Sequence, residues 1–430
     1  MCIVKPMKRL LLLTMLLGCL LLCACGAPDR IPAETEAPAP EEAESAPAPS
    51  TTPAPSEEPT TQLVFPNGSV YEGYEISIRL EGLKGSQVSE TIALLKQMPN
   101  LHNVDLGKKP KTGGLSLNRL SQLMEALPGV DFDYRLTLWD QEISLLDTEL
   151  DLKYIKMDDE GDLVAHLLRL MPKCKKVDMD SCGVSSEAMG KLREEFPDKE
   201  IHWRIWFGKE FSVRTDVERI IAANYLMDDN CADLQYCTKV RLLDIGHNPN
   251  LSDISFLAEM PELEVCILAI MPFRDFTPLT NCTKIEYLEL CEMTSHKGKV
   301  VDLSPIAGMK GLRHLNICKL YEVKNYEFLE TFTQLERLWI GQLTYIPKDY
   351  IEHLKEVLPD TQINWWTQVS VTEKWREDPP GIFVERYAEL RLQFDYWHYD
   401  KAASYWWNDP LCKGNDGNLE RIARQKEQKK

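Results

Sequence analysis

Cysteine, histidine and carboxylate are the side chains in which chemistry would first be sought. The 430-residue chain holds 13 cysteines and 8 histidines. Their spacing names no reaction. No C-x-x-C pair occurs, so neither a zinc site nor a dithiol redox pair is indicated. Nine cysteines follow Cys25, an odd count that does not suit a disulfide framework. No H-E-x-x-H, G-x-S-x-G, G-x-G-x-x-G or P-loop pattern appears. Asp105, Asp178 and Asp244 hold the same position in separate sequence repeats, where single exposed acids are solvated rather than catalytic. The expectation is no enzyme, no cofactor and no metal. With 67 acids against 49 bases the formal charge is −18, which argues against a general nucleic-acid binder.

What remains is recognition. Residues 365–407 carry Trp365, Trp366, Trp375, Trp397, Trp406 and Trp407, six of the ten tryptophans, with Tyr387, Tyr396, Tyr399 and Tyr405 among them. Aromatic faces stack on sugar rings, so Trp397, Trp406 and Trp407 are candidates for contact with cell-wall glycan. The alternative is a cap packed over the end of the fold. Residues 379–430 are read as this aromatic-rich segment and a polar tail.

The elements that must position such residues repeat along the chain. A six-residue frame, apolar at positions 1, 4 and 6, recurs at Leu101, Leu152, Cys174, Val240, Leu263, Ile285, Leu312 and Leu335. Between the frames lie apolar stretches that stop at proline, as in LNRLSQLMEALP, DLVAHLLRLMP, DISFLAEMP and DYIEHLKEVLP. Proline cannot continue a helix, so each unit reads as strand, turn, helix, stop. After Pro128, Pro197 and Pro359 the alternation Phe132-Tyr134-Leu136-Leu138, Ile201-Trp203-Ile205-Phe207 and Ile363-Trp365-Thr367-Val369 marks half-buried strands that close subdivisions of the fold.

The frame L-x-x-L-x-L, with Asn248 and Cys182 at its ninth position, resembles the leucine-rich-repeat family. The resemblance covers 235–365 well and 75–235 more loosely. It implies an α/β solenoid: a curved parallel sheet with helices on its convex side. Degenerate repeats are placed at 63–229 and fuller ones at 230–378.

Alternate side chains of a strand point to opposite sides. With positions 1, 4 and 6 in the core, positions 3, 5 and 7 line the concave face. In the first half these include Asp105, Asp158, Asp178 and Asp180, an acidic strip. In the second half an apolar centre of Leu242, Val265 and Ile267 adjoins Tyr287, His314, Arg337 and Trp339. That mixture has the composition of a binding surface, and the resemblance implies a protein partner there. The bland alternative is that the chain's own tail covers the face. Cys291 and Cys318 share position 7 of adjacent repeats; they can close a disulfide or hold a metal, or stay two thiols.

The first 62 residues differ from the rest. Lys5, Lys8 and Arg9 precede the apolar run Leu10–Leu22, a signal-peptide pattern too short to span a bilayer. Leu22-Cys23-Ala24-Cys25 then resembles the lipobox of bacterial lipoproteins. It implies cleavage after residue 24, a diacylglyceryl thioether on Cys25, and anchorage on the extracytoplasmic face of the cell membrane; the alternative is an ordinary signal peptide cut near Ala27. Residues 27–62 hold nine prolines and eight alanines, with Asp29 and seven glutamates against Arg30. Such a stretch cannot bury enough apolar surface to fold and reads as a disordered tether, 25–62 with the lipidated cysteine.

Overall fold

The computed structural model describes residues 62–208, 211–293, 297–341, 343–366 and 375, all within the unit Pro59–Lys430. The signal segment, Cys25, the tether up to Thr61, and Trp397, Trp406 and Trp407 lie outside the described residues. No helix among the described residues is long and apolar enough to cross a membrane.

The proline stops act as the sequence predicts. Helices Leu117–Ala126, Asp162–Leu170, Ser186–Glu195 and Lys348–Val357 end at Leu127, Met171, Phe196 and Leu358, with φ between −137° and −119° and ψ between 63° and 69°. Each of these residues precedes a proline, whose ring disfavours helical geometry in the residue before it. Two of the helices open on serine caps: the Ser116 and Ser185 hydroxyls accept from the Arg119 and Ala188 N–H groups.

The alternating segments supply strands that pair in parallel with their predecessors, although Thr367 and Val369 of the third lie outside the described residues. Phe132 aligns with Val104, Ile201 with Val177 and Ile363 with Leu338. Asp131–Leu138 then turns back on Gln141–Ser144, and Arg204–Phe207 on Phe211–Arg214, as antiparallel hairpins. The first hairpin turns through Trp139 and Asp140, both at positive φ (49° and 59°), the geometry whose twist matches the flanking strands. The next parallel sheets begin just after the hairpins, at Glu149–Asp151 and Arg219–Ile221. The latter strand lies within the 63–229 stretch.

The largest sheet has seven parallel strands: Arg219–Ile221, Leu242–Asp244, Val265–Ile267, Tyr287–Glu289, His314–Asn316, Arg337–Trp339 and Gln362–Asn364. Position 4 stacks in register through Leu243, Cys266, Leu288, Leu315 and Leu338. Positions 1, 4 and 6 of these five frames are buried. With a strand every 22 to 27 residues stacked over one continuous core, this is a leucine-rich-repeat solenoid.

Two expectations need correction. Among the described residues only the last unit of this sheet, between Arg337–Trp339 and Gln362–Asn364, carries an α-helix, Lys348–Val357; the five before it do not. Five-residue 3-10 turns (Ala232–Tyr236, Ser255–Glu259, Thr277–Asn281, Ser304–Gly308 and Glu327–Thr331) stand there, each burying one or two apolar residues such as Leu234 or Phe256. The frame Leu152-Ile155-Met157 is also misplaced: the strand is Glu149–Asp151, with Leu150 opposite Val177. Leu152 is therefore the last core position of that repeat. Ile155 and Met157 follow the turn at Tyr154 and are half-buried.

That turn recurs. Tyr154, Ser181, Asn224, His247, Ile270, Glu292 and Lys319 have φ between 60° and 66° and fall at position 8 of successive repeats. A left-handed conformation costs an L-residue about 1–2 kcal/mol. It lets the chain leave the strand while its N–H still pairs with the next repeat, as from His247 to the Ala269 carbonyl and from Ile270 to the Cys291 carbonyl, both 2.9 Å.

Candidate interaction surface

The ninth-position polar groups are structural. Asn248 is fully buried; its amide donates to the Ala222 and Ile245 carbonyls (2.8 and 2.7 Å), and its oxygen accepts from the Leu226 N–H (2.9 Å). Cys182 points its thiol at the Leu152 carbonyl, 2.9 Å away. Thr344 does similar work at the far end, bonding the Ile317 carbonyl and the Leu320 N–H. Burial pushes the Cys182, Cys237 and Cys282 thiols up to about 12 and Cys231 up to about 11. These thiols stay protonated at neutral pH and serve as small apolar residues rather than nucleophiles. Cys291 and Cys318 are buried and not bridged to each other. Among the described residues no group of three or more His, Cys, Asp or Glu side chains is placed to hold a metal.

Three of the four carboxylates of the predicted acidic strip, Asp105, Asp178 and Asp180, meet arginines. Asp180 is fully buried and takes the Arg204 guanidinium in a forked contact, 2.6 to 3.1 Å. Arg214 reaches Asp178, Asp180 and Asp216 at 2.9 to 3.2 Å. Burial works against the Asp180 carboxylate, but its bond and charge contact with Arg204 outweigh that and hold its pKa below the usual range. Both arginines come from the hairpin Arg204–Phe207/Phe211–Arg214, which folds back over the strand Lys176–Asp178. Asp105 lies near Arg79 and Arg135, at 3.5 and 3.7 Å.

Leu242, Val265, Ile267, Tyr287, His314, Arg337 and Trp339 do share one face of the seven-stranded sheet, opposite the repeat core. That face is not open, as the sequence reading supposed: none of the seven is more than 1% exposed. They form a second apolar cluster with Ile221, Ala269, Cys291, Cys318 and Trp375. A parallel sheet is ordinarily covered on both sides, and periodicity tells which side a residue faces, not what lies over it.

At one end of this face the polar groups interlock. The Tyr287 hydroxyl and the Trp375 indole N–H (2.9 Å) both donate to Glu289 Oε1. Arg337 Nε donates to His314 Nδ1 (3.2 Å), and its Nη1 donates to the Trp375 carbonyl (2.9 Å). The guanidinium lies 4.2 Å from the Trp375 ring centre, and that ring also packs on Tyr287 and Trp339, with centroids 5.5 and 5.1 Å apart. Burial, with Arg337 and Arg313 nearby, drives the His314 pKa well below its usual value. The imidazole is neutral, as an Nδ1 acceptor must be. Glu289 and Trp375 are the members that sequence reasoning left out of the site. Glu289 shares the Tyr287 face at a two-residue step, a signal that was legible; Trp375 had only its place in an aromatic-rich stretch.

A further surface lies by the last strand. A cavity of about 470 Å³ is lined by Tyr345, Pro347, Ile351, Trp365 and Trp366 among others. Trp366 is 63% exposed and Tyr345 58%.

No protein-family model and no curated protein matches the chain. Among solved structures it is similar to an internalin C2 of Listeria monocytogenes, at 14% identity over 67% of this chain and 87% of that one, with a TM-score of 0.25. A second Listeria monocytogenes internalin is also 14% identical, over 70% and 91%, with a TM-score of 0.26. A leucine-rich-repeat protein of Leptospira interrogans is 14% identical over 67% and 89%, with a TM-score of 0.22. At these TM-scores nothing about partners follows, and the assignment of the solenoid rests on the repeats and register of this chain.

Proposed function

We propose that the chain is a lipid-anchored scaffold on the extracytoplasmic face of the cell membrane, binding a protein partner non-covalently through the second face of its seven-stranded sheet, where a side chain of the partner takes the place of Trp375. The observation that carries the reading is the gathering of Tyr287, His314, Arg337 and Trp339 beside Leu242, Val265 and Ile267 on one face, drawn from five consecutive repeats. Tyr, Trp and Arg around an apolar centre is the make-up of interaction hot spots. Cys25 is the proposed lipidation site, and two acyl chains on it would hold the protein stably at the membrane.

The test is proximity labelling in living cells with the full-length lipidated chain and an Ile267→Lys variant. A protein enriched by the unaltered form and lost with the variant supports the scaffold; no enriched protein at all overturns it. Metabolic labelling with an alkyne fatty acid tests the anchor, since Cys25→Ser should abolish incorporation.

A second reading is favoured by the exposed wall of Trp366 and Tyr345 beside the cavity: cell-wall glycan stacks there, with Trp397, Trp406 and Trp407 as further contacts. Retention on purified peptidoglycan that is lost with Trp366→Ala supports this reading; unchanged retention removes it.

A further inference from the structure

Trp375 sits on the second face of the sheet as a ligand sits in a pocket. It lies eleven residues past the last strand, Gln362–Asn364, and is fully buried. Its indole N–H donates to Glu289 Oε1 and its carbonyl accepts from Arg337 Nη1, both at 2.9 Å. Its ring packs on Tyr287 and Trp339, and the Arg337 guanidinium stands 4.2 Å from the ring centre. One residue thus meets a hydrogen-bond acceptor, a hydrogen-bond donor, a cation and two aromatic walls.

Those contacts select. Glu289 and Arg337 lie on strands separated by His314–Asn316, two strand spacings or about 10 Å apart. An occupant that engages both needs a donor on its side chain and an acceptor on its own backbone. Lysine or arginine would set a second cation beside Arg337, and aspartate or glutamate a second carboxylate beside Glu289; an uncompensated buried charge is costly. Phenylalanine, leucine and methionine can fill the space against Tyr287 and Trp339 but offer Glu289 no donor, and a buried bond left unmade is costly too. Tyrosine carries a donor, but its single ring covers less of the guanidinium and the aromatic walls, and indole is the better cation–π partner. Tryptophan satisfies every contact at once. The carbonyl contact further limits the ligand to a tryptophan within a chain rather than indole alone.

We propose that Tyr287, Glu289, Arg337 and Trp339 form a tryptophan-specific subsite, which Trp375 fills in this structure, and that the partner binds by placing a tryptophan residue of its own there. The first half rests on the contacts of Trp375; the second rests on the proposed scaffold function. The exchange replaces one set of contacts by an equivalent set, so the partner's net affinity comes from whatever else it touches, while the subsite sets which residue it must present.

The experiment is isothermal titration of the full-length protein in three forms, unaltered, Trp375→Gly and Trp375→Gly/Glu289→Met. The probes are N-acetyl-L-tryptophanamide, its 1-methylindole form, which lacks only the ring donor, and N-acetyl-L-phenylalaninamide. Trp375→Gly should take up one equivalent of the tryptophan probe at least tenfold more tightly than either other probe, since a hydrogen bond to a charged group is worth about that factor or more. The unaltered chain, its subsite filled, should bind that probe at least tenfold more weakly than Trp375→Gly does. Adding Glu289→Met should remove the difference between the tryptophan probe and its methylated form. A difference that persists there would be steric and would overturn the role given to Glu289. Equal affinity of Trp375→Gly for all three probes overturns the proposal, as does no uptake of any. Equal uptake by the unaltered chain also overturns it, because the binding would then lie elsewhere.

Should Trp375→Gly unfold on its own, the probes are added during refolding, since a ligand of the folded state alone stabilises that state. Refolding with the tryptophan probe and neither of the others supports the subsite; refolding with none or with all three contradicts it. The two halves fail separately. Tryptophan selectivity with no protein captured in cells sinks the scaffold function and leaves the subsite standing. A captured protein whose binding survives replacement of every one of its tryptophans keeps the scaffold and overturns the exchange.

Discussion

Arg204→Met is the substitution whose consequence follows most directly from the geometry. Arg204 and Asp180 have side chains 2% and 0% exposed and meet through three contacts of 2.6 to 3.1 Å. Methionine fills similar space but leaves the Asp180 carboxylate buried without its main partner. Removing one side of a buried pair ordinarily costs about 3–5 kcal/mol. Here the Ser181 hydroxyl (2.6 Å) and Arg214 Nη1 (3.2 Å) still hold Asp180, so the expected cost is near the lower end, about 3 kcal/mol. The double variant Arg204→Met/Asp180→Leu removes both charges and should recover to within about 1 kcal/mol of the unaltered protein, because desolvating a pair nearly cancels its attraction. Urea unfolding followed by tryptophan fluorescence reads the effect, since the buried Trp203 immediately precedes Arg204. A cost below about 1 kcal/mol for Arg204→Met, or a double variant weaker than either single one, would refute the view that this pair ties the hairpin to the turn after strand Lys176–Asp178.

Three further outcomes are expected. Gly190→Ala should destabilise by about 1–3 kcal/mol in the same assay, because the added Cβ would meet the Tyr236 ring at 2.6 Å, and that ring packs on Trp203; a neutral result would mean the ring moves freely. Asn248→Ala should cost about 2–3 kcal/mol, since two carbonyls and one N–H lose their buried partner, and hydrogen exchange should quicken first at Leu226. Stability should fall on acidification in two stages. His202 and His314 have folded pKa values below the ordinary 6.5, chiefly through burial, so the unfolded chain takes up their protons first and stability declines below about pH 6.5. Asp180, with a depressed folded pKa, contributes stability above about pH 4 that is lost as pH falls toward its folded value. Urea midpoints flat from pH 7 to 5 would contradict the histidine part.

Much of the fold was legible because repeat spacing and strand alternation report directly on which side chains share a core. Val240, Leu263, Ile285, Leu312 and Leu335 begin frames that all stack as read. The strands after Pro128 and Pro197 were legible for the same reason, and the structure adds that both end in hairpins; after Pro359 the described strand is Gln362–Asn364 alone. The repeat at Glu149–Asp151 was misread because its strand is charged, apolar, charged, while the turn after it carries Leu152, Ile155 and Met157 at a deceptive spacing. The acidic strip was misread because its cations, Arg204 and Arg214, arrive from a hairpin 24 and more residues away. The closure of the second face was beyond periodicity altogether. Strand alternation places Tyr287, Arg337 and Trp339 on one side, but what lies over them depends on Trp375, whose position no repeat predicts.

Partner binding through the second face of the sheet is the central claim about this protein. The most direct measurement is a binding isotherm for the protein recovered by proximity labelling, titrated into purified full-length chain in three forms: unaltered, Trp375→Ala and Ile267→Lys. Tighter binding by Trp375→Ala and a loss of at least about a hundredfold with Ile267→Lys, equivalent to about 2.7 kcal/mol, is the predicted result. Equal affinity in all three forms would place the contact elsewhere on the molecule and contradict the account.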